Sequence, residues 1–141
     1  MWTLLVVKIF GSALLIFASA LISDWIFSGS KWAQKYFSRV PEIWRTMETG
    51  ENKIIRTSLL MTITYSVAFV LFYFIMRPGL IFTSPLTHGI AIGTFLWVLI
   101  PLPHLVTQHL YIKYHPAITR MQLAGWYMKL VSASLIMTFL F

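Results

Sequence analysis

The sequence predicts an all-α, polytopic membrane protein with four transmembrane helices, and three observations carry that prediction. Hydrophobic residues make up 58% of the 141 positions, against only eleven Lys/Arg and four Asp/Glu, where a soluble domain carries about 25% charged residues. The apolar residues gather in four blocks of about twenty, the length that crosses about 30 Å of hydrocarbon at the α-helical rise. Polar stretches with turn residues, among them Arg77-Pro78-Gly79 and His115-Pro116, separate the blocks. No room is left for a soluble domain, so residues 1–141 are read as a single transmembrane domain.

The first helix is expected over about residues 4–27. Gly11, Ser12, Ala18, Ser19, Ala20 and Ser23 give it small residues near helical spacing, suited to close packing on a neighbour. Ala18-Ser19-Ala20 has the small-x-small form of a signal cleavage site, but the only preceding cation, Lys8, lies inside the apolar run, so the segment reads as a membrane helix. An interfacial amphipathic segment is expected at about 31–48, where Lys31, Lys35, Arg39 and Arg45 alternate with Trp32 and Trp44. Such a segment lies in the headgroup layer with its rings in the apolar boundary and its cations toward lipid phosphates.

The second helix is expected over about 54–76, with Ser58, Thr62 and Ser66 on one face. Hydroxyls there bond a carbonyl of the preceding turn or a facing helix. The third is expected over about 86–110 and the fourth over about 121–141. Lys31, Lys35, Arg39, Arg45, Lys53 and Arg56 fall in or beside the first loop, Lys113 and Arg120 in the third, and only Arg77 in the second. By the positive-inside rule loops one and three are cytoplasmic and both termini lie outside, in the inner membrane of a bacterium. The net charge of +7 is accounted for in this way, and no nucleic-acid partner is implied.

Ionisable groups at membrane depth are costly and mark candidate sites. Lys8 is close enough to a helix end to snorkel. Lys129 shares a face with Gly125, Ser132 and Ala133, and so points into the bundle in the same half as Asp24. On the third helix Trp97, Pro101, His104 and Gln108 form one stripe. Pro101 and Pro103 deprive the carbonyls of Trp97 and Leu99 of their usual partners, which places polar backbone beside His104. Asp24, Trp97, His104, Gln108 and Lys129 are therefore the candidate ligand-binding residues, expected to share one polar pocket. Gly89, Gly93 and Gly125 are the expected helix-packing positions, inside the bundle or between protomers.

Cysteine is absent, which excludes disulfides, thiolate metal sites and thiol redox catalysis. No catalytic constellation or metal site is read from the sequence, and no cofactor is required by it. Haem or a chlorophyll-type pigment on one histidine is the residual cofactor reading. His88 and His104 diverge by about 160° round the helix, and His104 and His109 by about 140°.

Two patches carry a family resemblance. Trp25-Ile26-Phe27-Ser28 followed by Gly29-Ser30-Lys31-Trp32, and Gly125-Trp126-Tyr127 in the last helix, resemble a domain-of-unknown-function family of small bacterial four-helix integral membrane proteins. Ser30 interrupts that family's Gly-Lys pair. The family has no assigned activity, so the resemblance implies the layout and no functional residue.

The residues rank three functions. The first is a small accessory or structural subunit, self-associated or inside a larger membrane protein complex, in contact with the lipid bilayer. The second is a transporter or binder of a small lipophilic or anionic ligand through a cytoplasmic-side polar pocket. The third is a single-histidine haem or pigment protein. A non-enzymatic role ranks ahead of an enzymatic one.

Overall fold

The computed structural model describes residues 2–37, 51–76, 84–111 and 116–141. Helix α1, Trp2–Asp24, passes into a π-helical turn, Trp25–Gly29, and beyond Ser30 into the short helix α2, Lys31–Phe37. Helices α3 (Glu51–Met76), α4 (Pro85–Leu99), α5 (Pro101–Tyr111) and α6 (Pro116–Leu140) follow. Four helical stretches are long and apolar enough to cross a membrane: Thr3–Lys35, Ile55–Met76, Pro85–Leu110 and Pro116–Leu140. The chain is an integral membrane protein with an all-α, four-helix membrane fold.

The helix boundaries depart from expectation in three places, each for a local reason. Helical structure does not stop at residue 27, because Ser30 re-initiates it: its hydroxyl accepts the Ala33 N–H at 3.2 Å while donating to the Ile26 carbonyl at 2.7 Å. Lys31, Trp32 and Lys35 of the expected surface segment lie on α2 as exposed side chains, whereas Arg39, Trp44 and Arg45 fall outside the described residues. The third span is two helices, divided at Ile100 (φ −114°, ψ −70°), whose N–H still reaches the Leu96 carbonyl. Across the division the His104 N–H to Ile100 carbonyl bond stretches to 3.4 Å. The fourth helix begins at Pro116 rather than Met121, since proline suits a first helical position and Ile118, Thr119 and Met121 are buried.

Helix α6 is the hub. It packs on α4 most extensively and on α1 next, and α1 in turn holds α3. Leu130, Ala133 and Met137 of α6 join Ile16 of α1, Phe69, Val70 and Tyr73 of α3, and Ile92 and Leu96 of α4 in one apolar core. Gly89 and Gly93 set the α4–α6 approach. A Cβ on Gly93 would fall 2.6 Å from Val131 Cα, and one on Gly89 would fall 2.7 Å from Leu135 Cδ2 and 3.0 Å from Leu135 Cα. Gly125 receives Phe27 of the π turn, whose Cβ would lie 3.2 Å from an added methyl. All three glycines are thus engaged within this chain.

At one end Lys8 folds back so that its Nζ donates to the Leu140 carbonyl at 3.0 Å and lies 5.6 Å from the Phe141 ring centroid. Snorkelling therefore also caps the last turn of α6. Phe74 meets Phe141 edge to face at 4.8 Å, and the Tyr73 and His88 rings lie 6.3 Å apart at the same end. The outward faces carry Phe10 and Leu14 of α1, Leu60 and Leu71 of α3, and Phe95 and Val98 of α4 as exposed apolar side chains. This is the surface a bilayer covers.

Replacing Gly93 by Leu is expected to lower stability in detergent by roughly 2–3 kcal/mol, because Val131 backbone, not a mobile side chain, occupies the space. Gly11→Ala, where an added Cβ meets nothing within 4 Å, is expected to change it by less than about 1 kcal/mol. Thermal unfolding of both variants followed by circular dichroism tests the contrast; equal melting would refute it.

Candidate functional site

Two recesses open on the flank of α6 that faces α3. Tyr65 and Trp126 line both of them and stand edge to face, with centroids 6.2 Å apart and planes at 81°. This ring pair is the partition between the recesses.

The polar recess, about 330 Å³, lies among α1, α3 and α6 and is lined by Asp24, Ser28, Ser58, Thr62 and Lys129 besides the partition. Lys129 Nζ pairs with Asp24 Oδ1 and sits over the Trp126 ring, 4.9 Å from its centroid. An ammonium at membrane depth needs a counter-charge, and a desolvated indole face adds further attraction. The two partners are unequally open, with side chains 14% (Lys129) and 40% (Asp24) exposed. Asp24 therefore keeps the more accessible polar surface of the pair.

Hydrogen bonds fix the frame around Lys129. Its backbone carbonyl accepts from the Tyr65 hydroxyl at 3.3 Å and from the Ser132 hydroxyl at 3.1 Å. Ser132 also reaches the Ser19 hydroxyl at 3.4 Å, and the Ser23 hydroxyl donates to the Gly125 carbonyl at 2.9 Å. Thr62 and Ser66 satisfy their hydroxyls on the preceding turn, at the Ser58 and Thr62 carbonyls. The small polar residues of α1 and α6 thus work as inter-helix glue, in the way hydroxyls do where no water competes.

The apolar recess, about 390 Å³, lies between α3 and the α4–α5 pair, with α6 as its floor. Ala68, Phe69 and Phe72 form one wall; Leu96, Ile100, Pro101, His104 and Leu105 form the other; Leu130 joins Trp126 beneath. The proline division of the third span falls within this wall. His104 is exposed at its rim, and Pro101 is buried.

The structure does not bring the five candidate residues into one recess. Asp24 and Lys129 come together, but the stripe on the third span does not face them. Lys129 points to the α1 side of α6, whereas Val131, on which Gly93 rests, lies about 200° round the same helix. Trp97 instead donates its indole N–H to the Leu123 carbonyl at 2.8 Å and meets the Tyr127 ring edge to face at 5.5 Å. It locks α4 to α6 and lines neither recess. Gln108 is half-buried on α5 and also lines neither.

The described histidines have separate surroundings. His109 shares a hydrogen bond with the Thr119 hydroxyl at 3.1 Å, His88 adjoins Tyr73, and His104 edges the apolar recess. Among the described residues no three His, Asp or Glu side chains are grouped as a metal site.

Tyr65 and Trp126 are the residues that sequence reasoning missed. A hydroxyl-bearing ring amid the aliphatic run of α3, and an indole three positions before a buried-face lysine, are signals that could have found them. Comparison with family models, with curated proteins and with solved structures finds no match to this chain.

Asp24→Asn is expected to destabilise the bundle more than the double variant Asp24→Asn/Lys129→Met, since the single change strands a largely enclosed ammonium. A double-mutant cycle read from thermal melting in detergent should give a coupling of about 1–3 kcal/mol. A coupling near zero would mean that the pair contributes nothing to assembly.

Proposed function

We propose that this protein binds an amphiphilic, membrane-dissolved molecule, with the apolar body between α3 and α4–α5 and the polar group beside Asp24 and Lys129. The observation that carries this reading is the adjacency of a nearly wholly apolar recess to an intramembrane ion pair across one shared wall, Tyr65–Trp126. Binding sites for lipophilic ligands have this composition, with extensive apolar lining and a few convergent polar groups that set orientation. Recesses between membrane helices also take such ligands directly from the bilayer.

A purely structural subunit draws less support. Small-residue faces would have to be open to a partner, and Gly89, Gly93 and Gly125 are occupied within the chain. We infer that the polar recess lies toward the cytoplasm of a bacterium and that both termini lie outside. The basic residues Lys31, Lys35, Arg56 and Arg120 gather at that end and favour this orientation. Layout is all that the resemblance to the small four-helix family adds.

Ala68→Trp would fill the apolar recess from its α3 wall, whereas Leu71→Trp adds the same ring on an exposed face of the same helix. Purified in the same mild detergent, the Ala68 variant should retain several-fold less co-purifying lipophile per protein than wild type or the Leu71 variant. Mass spectrometry of organic extracts measures the ratio. Equal retention in all three would refute binding in the recess.

A further inference from the structure

We propose that the polar recess selects a zwitterionic phospholipid whose headgroup joins a phosphate to a primary ammonium. The inference rests on the binding function proposed above and adds the headgroup chemistry to it.

Charge balance is the first argument. The recess presents one carboxylate and one ammonium already in contact with each other. A singly charged ligand group must meet one of the two as a like charge, at a depth where that repulsion is poorly screened. A zwitterion meets both with opposite sign. Its ammonium lies on Asp24, its phosphate on Lys129, and all four charges are compensated.

Donor capacity and openness are the second argument. Asp24 enters the ion pair through Oδ1, and a carboxylate has a second oxygen, Oδ2, to offer a further donor. The Asp24 side chain is also the more open of the two. A carboxylate oxygen in that position takes an N–H donor, and a primary ammonium offers three whereas a trimethylated one offers none. Lys129 has N–H groups beyond the one directed at Asp24, and the Ser28 and Ser58 side chains border the same space. Phosphate oxygens accept from groups of these kinds. The short ethylene bridge of an ethanolamine headgroup suits two protein charges that touch.

The apolar recess supplies the third argument. An acyl chain leaving the headgroup crosses the exposed edge of Trp126, the ring common to both recesses, and runs between Phe69 and Phe72 on one side and Leu96 and Leu105 on the other.

The test uses the unmodified protein in a lipid-free detergent. Synthetic phospholipids with identical palmitoyl and oleoyl chains carry ethanolamine, N-methylethanolamine, N,N-dimethylethanolamine, choline or glycerol headgroups. Bound lipid is counted by native mass spectrometry across a titration. The ethanolamine form should bind about tenfold more tightly than the choline form, the loss of a charge-assisted hydrogen bond. Affinity should fall with each added methyl, and the glycerol form should bind more weakly than ethanolamine. Asp24→Asn should abolish the preference among headgroups, and Asp24→Glu should keep it; both are checked for native helicity by circular dichroism. Equal affinity for every headgroup would overturn the selectivity proposed here while leaving the binding function standing. Retention of no lipid of any type would overturn the binding function itself. A headgroup preference unaffected by Ala68→Trp and by Asp24→Asn would place the lipid elsewhere and overturn the assignment of this recess.

Discussion

Helix α6 has to pack tightly on two neighbours at once in a solvent that is as apolar as its own side chains. Hydrocarbon supplies no hydrophobic drive for one helix to join another, so contact quality and inter-helix hydrogen bonds must hold the bundle. The chain meets that requirement by dividing α6 into two working faces. On one, Val131 and Leu135 press against the bare backbone at Gly93 and Gly89, where even a methyl would collide. On the other, Gly125 and Ser132 adjoin Phe27 and Ser19 through close carbon contact and hydroxyl bonds. Both faces depend on small residues. Because α6 is spent on α1 and α4, it leaves α3 attached chiefly through α1, and the gap between α3 and α4–α5 follows from that arrangement.

The same division decides where charge can be tolerated. Lys129 stands on the hydroxyl-rich face, so its ammonium finds Asp24 and the Trp126 ring, while the carbonyl of its own residue anchors Tyr65 and Ser132. On the opposite face, packed backbone to backbone, a lysine would have neither space nor counter-ion. Tyr65 has two duties in consequence. Its hydroxyl bonds α3 to α6, and its ring with Trp126 separates a charged environment from an apolar one.

Much of this was legible in the residues. Length and hydropathy give four spans, and Lys129 in phase with Gly125 and Ser132 points to a buried cation near Asp24. Lys8 near a helix end behaves as a long-stemmed cation should, reaching the Leu140 carbonyl. What the sequence could not give is azimuth between helices. The stripe from Trp97 to Gln108 is a real periodicity, but periodicity fixes the face of a helix and not which neighbour that face meets. The contacts at Gly93 and Trp97 turn the Trp97 end of the stripe away from Lys129, while Pro101 and His104 line the neighbouring recess. The helix ends escaped for a related reason. The π turn at Trp25–Gly29 is settled by backbone bonds, and the cap at Ser30 by a hydroxyl that accepts the Ala33 N–H, neither of which composition encodes.

The fastenings at the far end of the bundle draw three helices onto the last turn of α6. Lys8 on Leu140, Phe74 on Phe141 and Tyr73 beside His88 tie α1, α3, α4 and the end of α6 together there. Toward the other end the Ile100 division makes α5 a separate helix and not the continuation of α4 as one rod. The two ends of the bundle therefore differ in kind: one is tied side chain to terminal turn, and the other is shaped by a proline division.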